Sequence, residues 1–476
     1  IDEIPFQSEK QYMATLHAHL DKRRIYIKGS VEKLISFSKY IFKDTQAIPL
    51  EKDELRSIMQ ASEGMAKNAM RVIAGGYVDI TKDSGKITEE DIRGKVVFAG
   101  LAGMADPPRE DAKEALKLCK QAGIKVVMVT GDNKVTAESI ARQLDLAPGR
   151  AISGTELDLI SDEDLLEQIE KISVFARIEP LHKLRIVKSF KDRGHIVAMT
   201  GDGINDAPAL KTANIGIAMG KTGTDVAKEA SDMVLTDDNF SSIVAAIEEG
   251  RAIFNRLRNV VCFTLSTCFG ELLALILSVL FIGKAPLLAL QIIWVNLVTG
   301  TVMSIPLGLE PKVGDELKHE PRSPKVGIIF PGLLFRIGFL SAMLSVAVFL
   351  VFKWAYKTTT IEHARTMAFC TMVTFEWFIA FSARSDEHTI WKLGIFKNRW
   401  LIFSTVIAIA LQLSVVYVPF IRIPFKTVPL NLGHWLIIIS ITGTIFILEN
   451  IRKAFFPKLF SLGKWNPINK NTRERN

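Results

Sequence analysis

Asp202 and Asp206 stand four residues apart in AMTGDGINDAPAL (Ala198–Leu210), on a glycine-rich turn after the apolar pair Ile196–Val197. Carboxylates at such a turn suit Mg²⁺, which takes few protein ligands and keeps water or phosphate oxygens for the rest. Gly201 and Gly203 allow a close backbone approach. An Asp-Gly-x-Asn-Asp string is also ordinary turn chemistry, so its companions decide the reading. TGDN (Thr130–Asn133) ends an earlier apolar run and offers a hydroxyl and backbone N–H groups to a phosphoryl oxygen. Lys183, on the helix after RIEP, supplies a fixed cation to the same phosphate. Hydroxyl, ammonium and metal-bound carboxylate on one sheet edge form the set that stabilises phosphoryl transfer electrostatically.

A second group lies downstream. Glu271 sits inside CFTLSTCFGELLALILSVLFI and Glu376 inside MAFCTMVTFEWFIAF. A carboxylate at bilayer depth is costly unless it is paired, neutralised or facing a polar path, so function is the default reading. Cys268 precedes Glu271 by three residues and shares its helix face. Asn296 and Thr299, in WVNLVTG, share another face, and their oxygens could join Glu271 in a dehydrated cation site. The plainer alternative is hydrogen bonding between helices. Gln412 carries no matching motif and reads as packing.

Two kinds of element must position these groups. Residues 1–92 mix a β-like RRIYIKGS with a helical EKDELRSIMQASEGMAKNAM. From Gly94 apolar strands alternate with amphipathic helices: KVVFAG, REDAKEALKLCKQAG, IKVVMVTGDN, KVTAESIARQL, SVFARI, LHKLRIVKSFKDRG, HIVAMTGDG, then NIGIAMG and DMVLT. That alternation predicts a parallel sheet covered on both faces, with reactive groups beyond the carboxyl ends of its strands. Asp132 and Asp202 are placed there.

Beyond about Gly250 the apolar runs reach bilayer-spanning length, which accounts for 48% hydrophobic residues and a mean hydropathy of +0.22. A helix from near Phe240 is expected to run on into the first of six spans, about 259–282, 287–308, 331–352, 366–383, 399–419 and 433–451. Placing the soluble half in the cytoplasm leaves the basic connections and tail on the same side, as the positive-inside rule prefers. The net charge of +8 therefore reads as membrane topology. With no basic-aromatic stripe in the first half, nucleic acid is excluded as a partner. Cys119, Cys262, Cys268 and Cys370 lack metal spacing and imply no disulfide scaffold.

Taken in order, these strings resemble the C-terminal part of a P-type cation-transporting ATPase with a haloacid-dehalogenase-like phosphorylation domain. KGS (Lys28–Ser30) is similar to the family's KGA motif, DPPR (Asp106–Arg109) to its hinge, and TGDN, EPLHK and TGDGINDAPAL follow in family order. The resemblance implies a multidomain α/β plus membrane α-helical fold. A partial nucleotide-binding domain would occupy 1–92, a Rossmannoid phosphorylation domain 93–240, and a bundle of six transmembrane helices 241–476. It implies ATP and Mg²⁺ as cofactors. Phe6 would stack on adenine, Met13, Lys28 and Gly29 would line the nucleotide pocket, and Arg71 would reach the phosphates. Thr130, Gly131, Asp132, Lys183, Asn205 and Asp206 would form the phosphoryl site, with Asp202 holding Mg²⁺. The bland reading of Phe6 and Met13 is ordinary core. GE, WVNLVT and TFE are most similar to calcium pumps and would carry the transported cation on Glu271, Asn296, Thr299 and Glu376, with Cys268 beside them. Cys268 stands where calcium pumps have Asn, and Gly300 where they have Asp, so one Ca²⁺, another cation such as Na⁺ or Mg²⁺, or proton countertransport stay open.

Neither DKTGT, which carries the family's phosphorylated aspartate, nor the TGE of its actuator domain occurs. Both normally precede the matched region, with four transmembrane helices. The expectation is a C-terminal portion whose missing N-terminal half is a partner within the same polypeptide, and which alone does not turn over ATP. Lipid is the other partner, in a multi-pass protein of the plasma membrane. A membrane-tethered phosphatase and an inactive pump-like subunit are the rival readings.

Overall fold

The computed structural model describes all residues other than 1, 8, 20–21, 69, 81–84, 106–108, 147–148, 325, 458 and 461–476. Asp106, Pro107 and Pro108 of the DPPR string thus lie outside the described residues. The chain forms two compact units, one of residues 1–120 and 124–244, the other of 121–123 and 245–476.

In the first unit, seven strands form a sheet in the order Asp2–Ile4, Tyr12–His19, Lys22–Gly29, Met70–Ile80, Val96–Ala105, Ser38–Lys43, Gln46–Pro49. Only Ser38–Lys43 on Val96–Ala105 is parallel. Residue alternation sorts the faces. Tyr12, Ala14, Leu16, Ile25 and Ile27 are buried with Leu34 and Phe37 of helix Val31–Phe37 and Ile58 of helix Lys52–Lys67. Ser30 starts the shorter helix by accepting the Lys33 N–H.

One expectation fails here. KVVFAG was assigned to the parallel βα array, but its strand pairs with Met70–Ile80 and Ser38–Lys43 in the first sheet. A short continuous apolar run fits a buried parallel strand and a central mixed-sheet strand equally well; its partner is set by contacts distant in sequence.

The βα segment builds two three-stranded parallel sheets. One has the order Met128–Val129, Ile172–Ala176, Arg150–Ser153; the other has Ala198–Gly201, Ile215–Met219, Met233–Leu235. Ile172–Ala176 is buried at every position, as a parallel strand covered on both faces should be. Val129 and Val197 pack into one apolar cluster with Ile152, Phe175 and Ile186, so the two sheets share a core. Helix Glu110–Gln121 ends before Gly123, whose φ of 70° is the left-handed backbone glycine tolerates. Asn133 caps helix Lys134–Gln143 by accepting the Thr136 N–H at 2.9 Å.

The second unit carries most of the apolar sequence. Six helices are long and apolar enough to cross a membrane: Phe240–Ile282, Ala289–Gly308, Pro331–Thr358, Ile361–Ala383, Arg399–Tyr417 and Leu432–Phe455. They agree with the six expected spans, and the first runs unbroken over 43 residues. The second is not a uniform α-helix. Trp294–Thr299 forms a π-helical turn between Ala289–Ile293 and Gly300–Gly308. All four cysteines are free thiols.

Candidate functional site

Three clusters gather the residues singled out by sequence. In the first, the Lys183 ammonium contacts the Asp206 carboxylate. The other Asp206 oxygen accepts the N–H groups of Asp202 at 3.3 Å and Gly203 at 3.2 Å. Asp206 is buried, whereas Asp202 is exposed and its carboxylate has no hydrogen bond or ion pair among the described residues. Gly201 is required here: a Cβ would lie 2.6 Å from that of Asp206. Thr130 Oγ1 accepts the Asp132 N–H at 3.1 Å and donates to Asp132 Oδ2 at 3.3 Å. The turn is tied to the one before the Lys183 helix, Pro180–Asp192, since the Arg177 N–H donates to Asp132 O (2.8 Å) and the Ile178 N–H to Thr130 O (3.1 Å). A continuous bonded path therefore leads from Thr130 through the 177–178 turn and Lys183 to Asp206 and Asp202. Gly131 and Asn205 are exposed beside it.

Asp238 is a support the sequence reading missed. Its carboxylate accepts the N–H groups of Gly220 (2.6 Å), Lys221 (3.0 Å) and Thr222 (2.8 Å) and the Thr222 hydroxyl (3.0 Å). These bonds, that from Lys221 foremost, hold its carboxyl down to about 2. The pinned loop leads to Thr224, whose N–H donates to the Asp202 carbonyl at 2.9 Å. The Asp-Asp-Asn string at 237–239 was the available signal, hidden by its resemblance to any polar turn.

The second cluster lies on the outer face of the seven-stranded sheet. Register places Met13, Lys28, Gly75 and Gly100 in one row across four strands. A Cβ at either of the last two would meet nothing within 4 Å, so the row opens onto a bare floor beside Lys28. Arg71 shares the face, roughly 13 Å along the strand from Gly75. Gly29 is fixed by close approach, since a Cβ would fall 2.5 Å from Gln11 O. Phe6 is 58% exposed and Met13 half-buried, so neither is ordinary core.

The third cluster is within the helical unit. Asn296 Nδ2 donates to Glu271 Oε2 at 2.8 Å, and Thr299 Oγ1 donates to Glu376 Oε2 at 2.7 Å. Cys268 Sγ lies 3.7 Å from Asn296 Oδ1. Glu271 and Glu376 are buried, and Glu271 Oε1 has no hydrogen-bond partner. Asn296 and Thr299 therefore serve different carboxylates. The wider π turn advances each residue by a smaller angle, so side chains three apart splay instead of stacking, and such turns recur at functional sites. Gly300 follows: a Cβ there would sit 3.7 Å from Glu376 Oε1. Gln412 is buried and donates to Cys370 Sγ at 3.5 Å.

Comparison with known proteins places these clusters in context. Family models match for "Cation transporting ATPase, C-terminus" over residues 284–455, "P-type ATPase, cytoplasmic domain N" over 1–111 and "haloacid dehalogenase-like hydrolase" over 184–247. The chain is 38% identical to a Bacillus cereus protein named calcium-transporting ATPase 1 over 453 residues, covering 91% of this chain and 51% of that protein. It is 40% identical to the Synechocystis cation-transporting ATPase pma1, covering 92% and 49%. It is 36% identical to calcium-transporting ATPase 1 of Saccharomyces cerevisiae, covering 96% and 49%. The chain spans about half the length of the curated relatives it matches.

Proposed function

We propose, from the premise that this chain belongs to the P-type cation-transporting ATPases, that it supplies the nucleotide face, the phosphate pocket and part of the ion site of an ATP-driven cation pump. The observation that carries this is a Lys183–Asp206 pair beside a free Asp202 carboxylate, in one polypeptide with buried Glu271 and Glu376. In this reading Thr130 and Lys183 position a phosphoryl group while Asp206 holds the ammonium and the turn N–H groups. The outer-face row around Lys28 takes the nucleotide, with Phe6 on the adenine and Arg71 toward the phosphates. We draw the edge of the nucleotide-binding part after the strand Val96–Ala105, with which the first sheet closes.

The donor set fits Mg²⁺ rather than a protein-caged metal. Asp202 offers one free carboxylate, and no three His, Cys, Asp or Glu side chains converge as a metal cluster among the described residues. Mg²⁺ bound there would neutralise charge on transferring phosphate oxygens. The acceptor aspartate is assigned to the portion of the relatives that this chain does not span, since it contains no DKTGT string.

Glu271 and Glu376 are assigned to the transported cation. The orphaned Glu271 Oε1 supports this, being a buried anionic oxygen with nothing else to bind. Ca²⁺ is the first candidate, from the relatives' names. Coupling is assigned to the unbroken helix Phe240–Ile282, which carries Glu271, and the protein to the plasma membrane with its sheets in the cytoplasm. The test uses the protein that contains this chain. Asp202→Asn should lower ATP-derived phosphoenzyme about a hundredfold, and Glu271→Ala should shift the cation dependence of ATP hydrolysis while nucleotide binding persists. Wild-type phosphoenzyme in the first variant would remove Asp202 from the mechanism.

A further inference from the structure

We infer that Cys268 is a direct ligand of the transported ion, so that the site accepts a zinc-class, thiophilic divalent cation and Cys268 sets its selectivity against Ca²⁺. This rests on the reading of Glu271 as a transport carboxylate. The Asn296 amide is turned so that its nitrogen donates to Glu271 and its oxygen faces the Cys268 sulfur. That leaves three donors on one side of the first two spans: the thiol, the amide oxygen and the buried, unpartnered Glu271 Oε1.

Their spacing suits a small ion. Tetrahedral zinc with Zn–S near 2.3 Å and Zn–O near 2.1 Å holds sulfur and oxygen about 3.6 Å apart; Cys268 Sγ and Asn296 Oδ1 are 3.7 Å apart. A thiol merely donating to the amide would leave Glu271 Oε1 orphaned, whereas a cation uses all three. Ca²⁺ seeks six to eight oxygens, and Gly300 contributes no side-chain oxygen beside Glu376. Thiolate ligands favour the softer ion. Cys268 is exposed and Glu376 buried, so the ion meets sulfur first. On binding, the thiol proton leaves to solvent as the metal–sulfur bond forms.

Cadmium is the probe, because a cadmium–thiolate bond carries an ultraviolet charge-transfer band. Titrating Cd²⁺ into the purified protein that contains this chain should raise a saturable band, absent in Cys268→Ser, which keeps Cys119, Cys262 and Cys370. In ATPase assays the variant should lower the preference for Cd²⁺ over Ca²⁺ about tenfold. An undiminished band in Cys268→Ser, or an unchanged preference ratio, overturns the assignment. Loss of the band in a protein whose ATPase no divalent cation stimulates would uphold the ligand and sink the pump reading instead.

Discussion

The buried acids differ in what each is asked to do. Asp206 satisfies an ammonium and two turn N–H groups at once. Asp206→Ala strands all three, and breaking a largely buried pair costs about 3 kcal/mol. Chemical denaturation should show that loss together with loss of phosphoenzyme. Asp238 makes a prediction of pH. Its carboxyl, ordinarily near 3.8, is held at about 2 in the folded chain. A depressed carboxyl stabilises above its unfolded value and loses that contribution as pH falls toward the folded one. The thermal-stability gap between wild type and Asp238→Asn should hold above about pH 4 and close between there and about pH 2. A gap constant down to pH 2 would contradict the carboxylate's role.

At the scale of elements, glycine positions decide what can be changed. A Cβ at Gly201 would enter the van der Waals space of Asp206, whereas one at Gly300 would be 3.0 Å from Val295 O and 3.7 Å from Glu376 Oε1. Gly201→Ala should therefore abolish phosphoenzyme formation by displacing Asp206. Gly300→Ala needs a shift of only a few tenths of an ångström and regains about 1 kcal/mol of helix propensity, so it should leave the protein near wild-type stability. Parallel thermal melts and phosphorylation assays separate the two. The π turn is the element that sequence reasoning lacked: WVNLVT reads as α-helix by composition, and only the backbone shows Asn296 and Thr299 turning to different carboxylates.

The helical unit is also held by buried charge. Arg384 pairs with Glu310 at 2.7–3.0 Å and donates to Gly394 O, while Asn398 Nδ2 donates to the same Glu310 at 2.7 Å. Arg336 pairs with Glu449 at 3.0 Å and with Asp386, which also binds Arg258 at 2.6 Å. Arg384→Ala leaves Glu310 buried without its counter-ion and should cost about 3 kcal/mol, read as a lower melting temperature in detergent. The long first helix makes a prediction about the whole protein. A proline at the exposed Ile253 breaks it at about 3 kcal/mol. Ile253→Pro should separate ATP hydrolysis from ion uptake in vesicles; unchanged uptake per ATP would exclude that helix as the coupling element.

Local chemistry was legible in the sequence because it depends on near neighbours. The TGDN and TGDGINDAPAL turns follow from glycines and acids a few residues apart, and the six spans follow from uninterrupted apolar length. Cys268 and Glu271 were legible as one helix face for the same reason. Decisions requiring distant residues were not. Val96–Ala105 is apolar enough for either sheet, and pairing with Met70–Ile80 chose the first. Helical periodicity grouped Asn296 with Thr299, but the π turn sent one to Glu271 and the other to Glu376. Asp238 read as a turn until its loop of backbone N–H groups closed around it. A sequence specifies what each segment can bury and which backbone turns it tolerates; which of several compatible partners it meets is an energy of long-range contacts, settled only when the chain is folded.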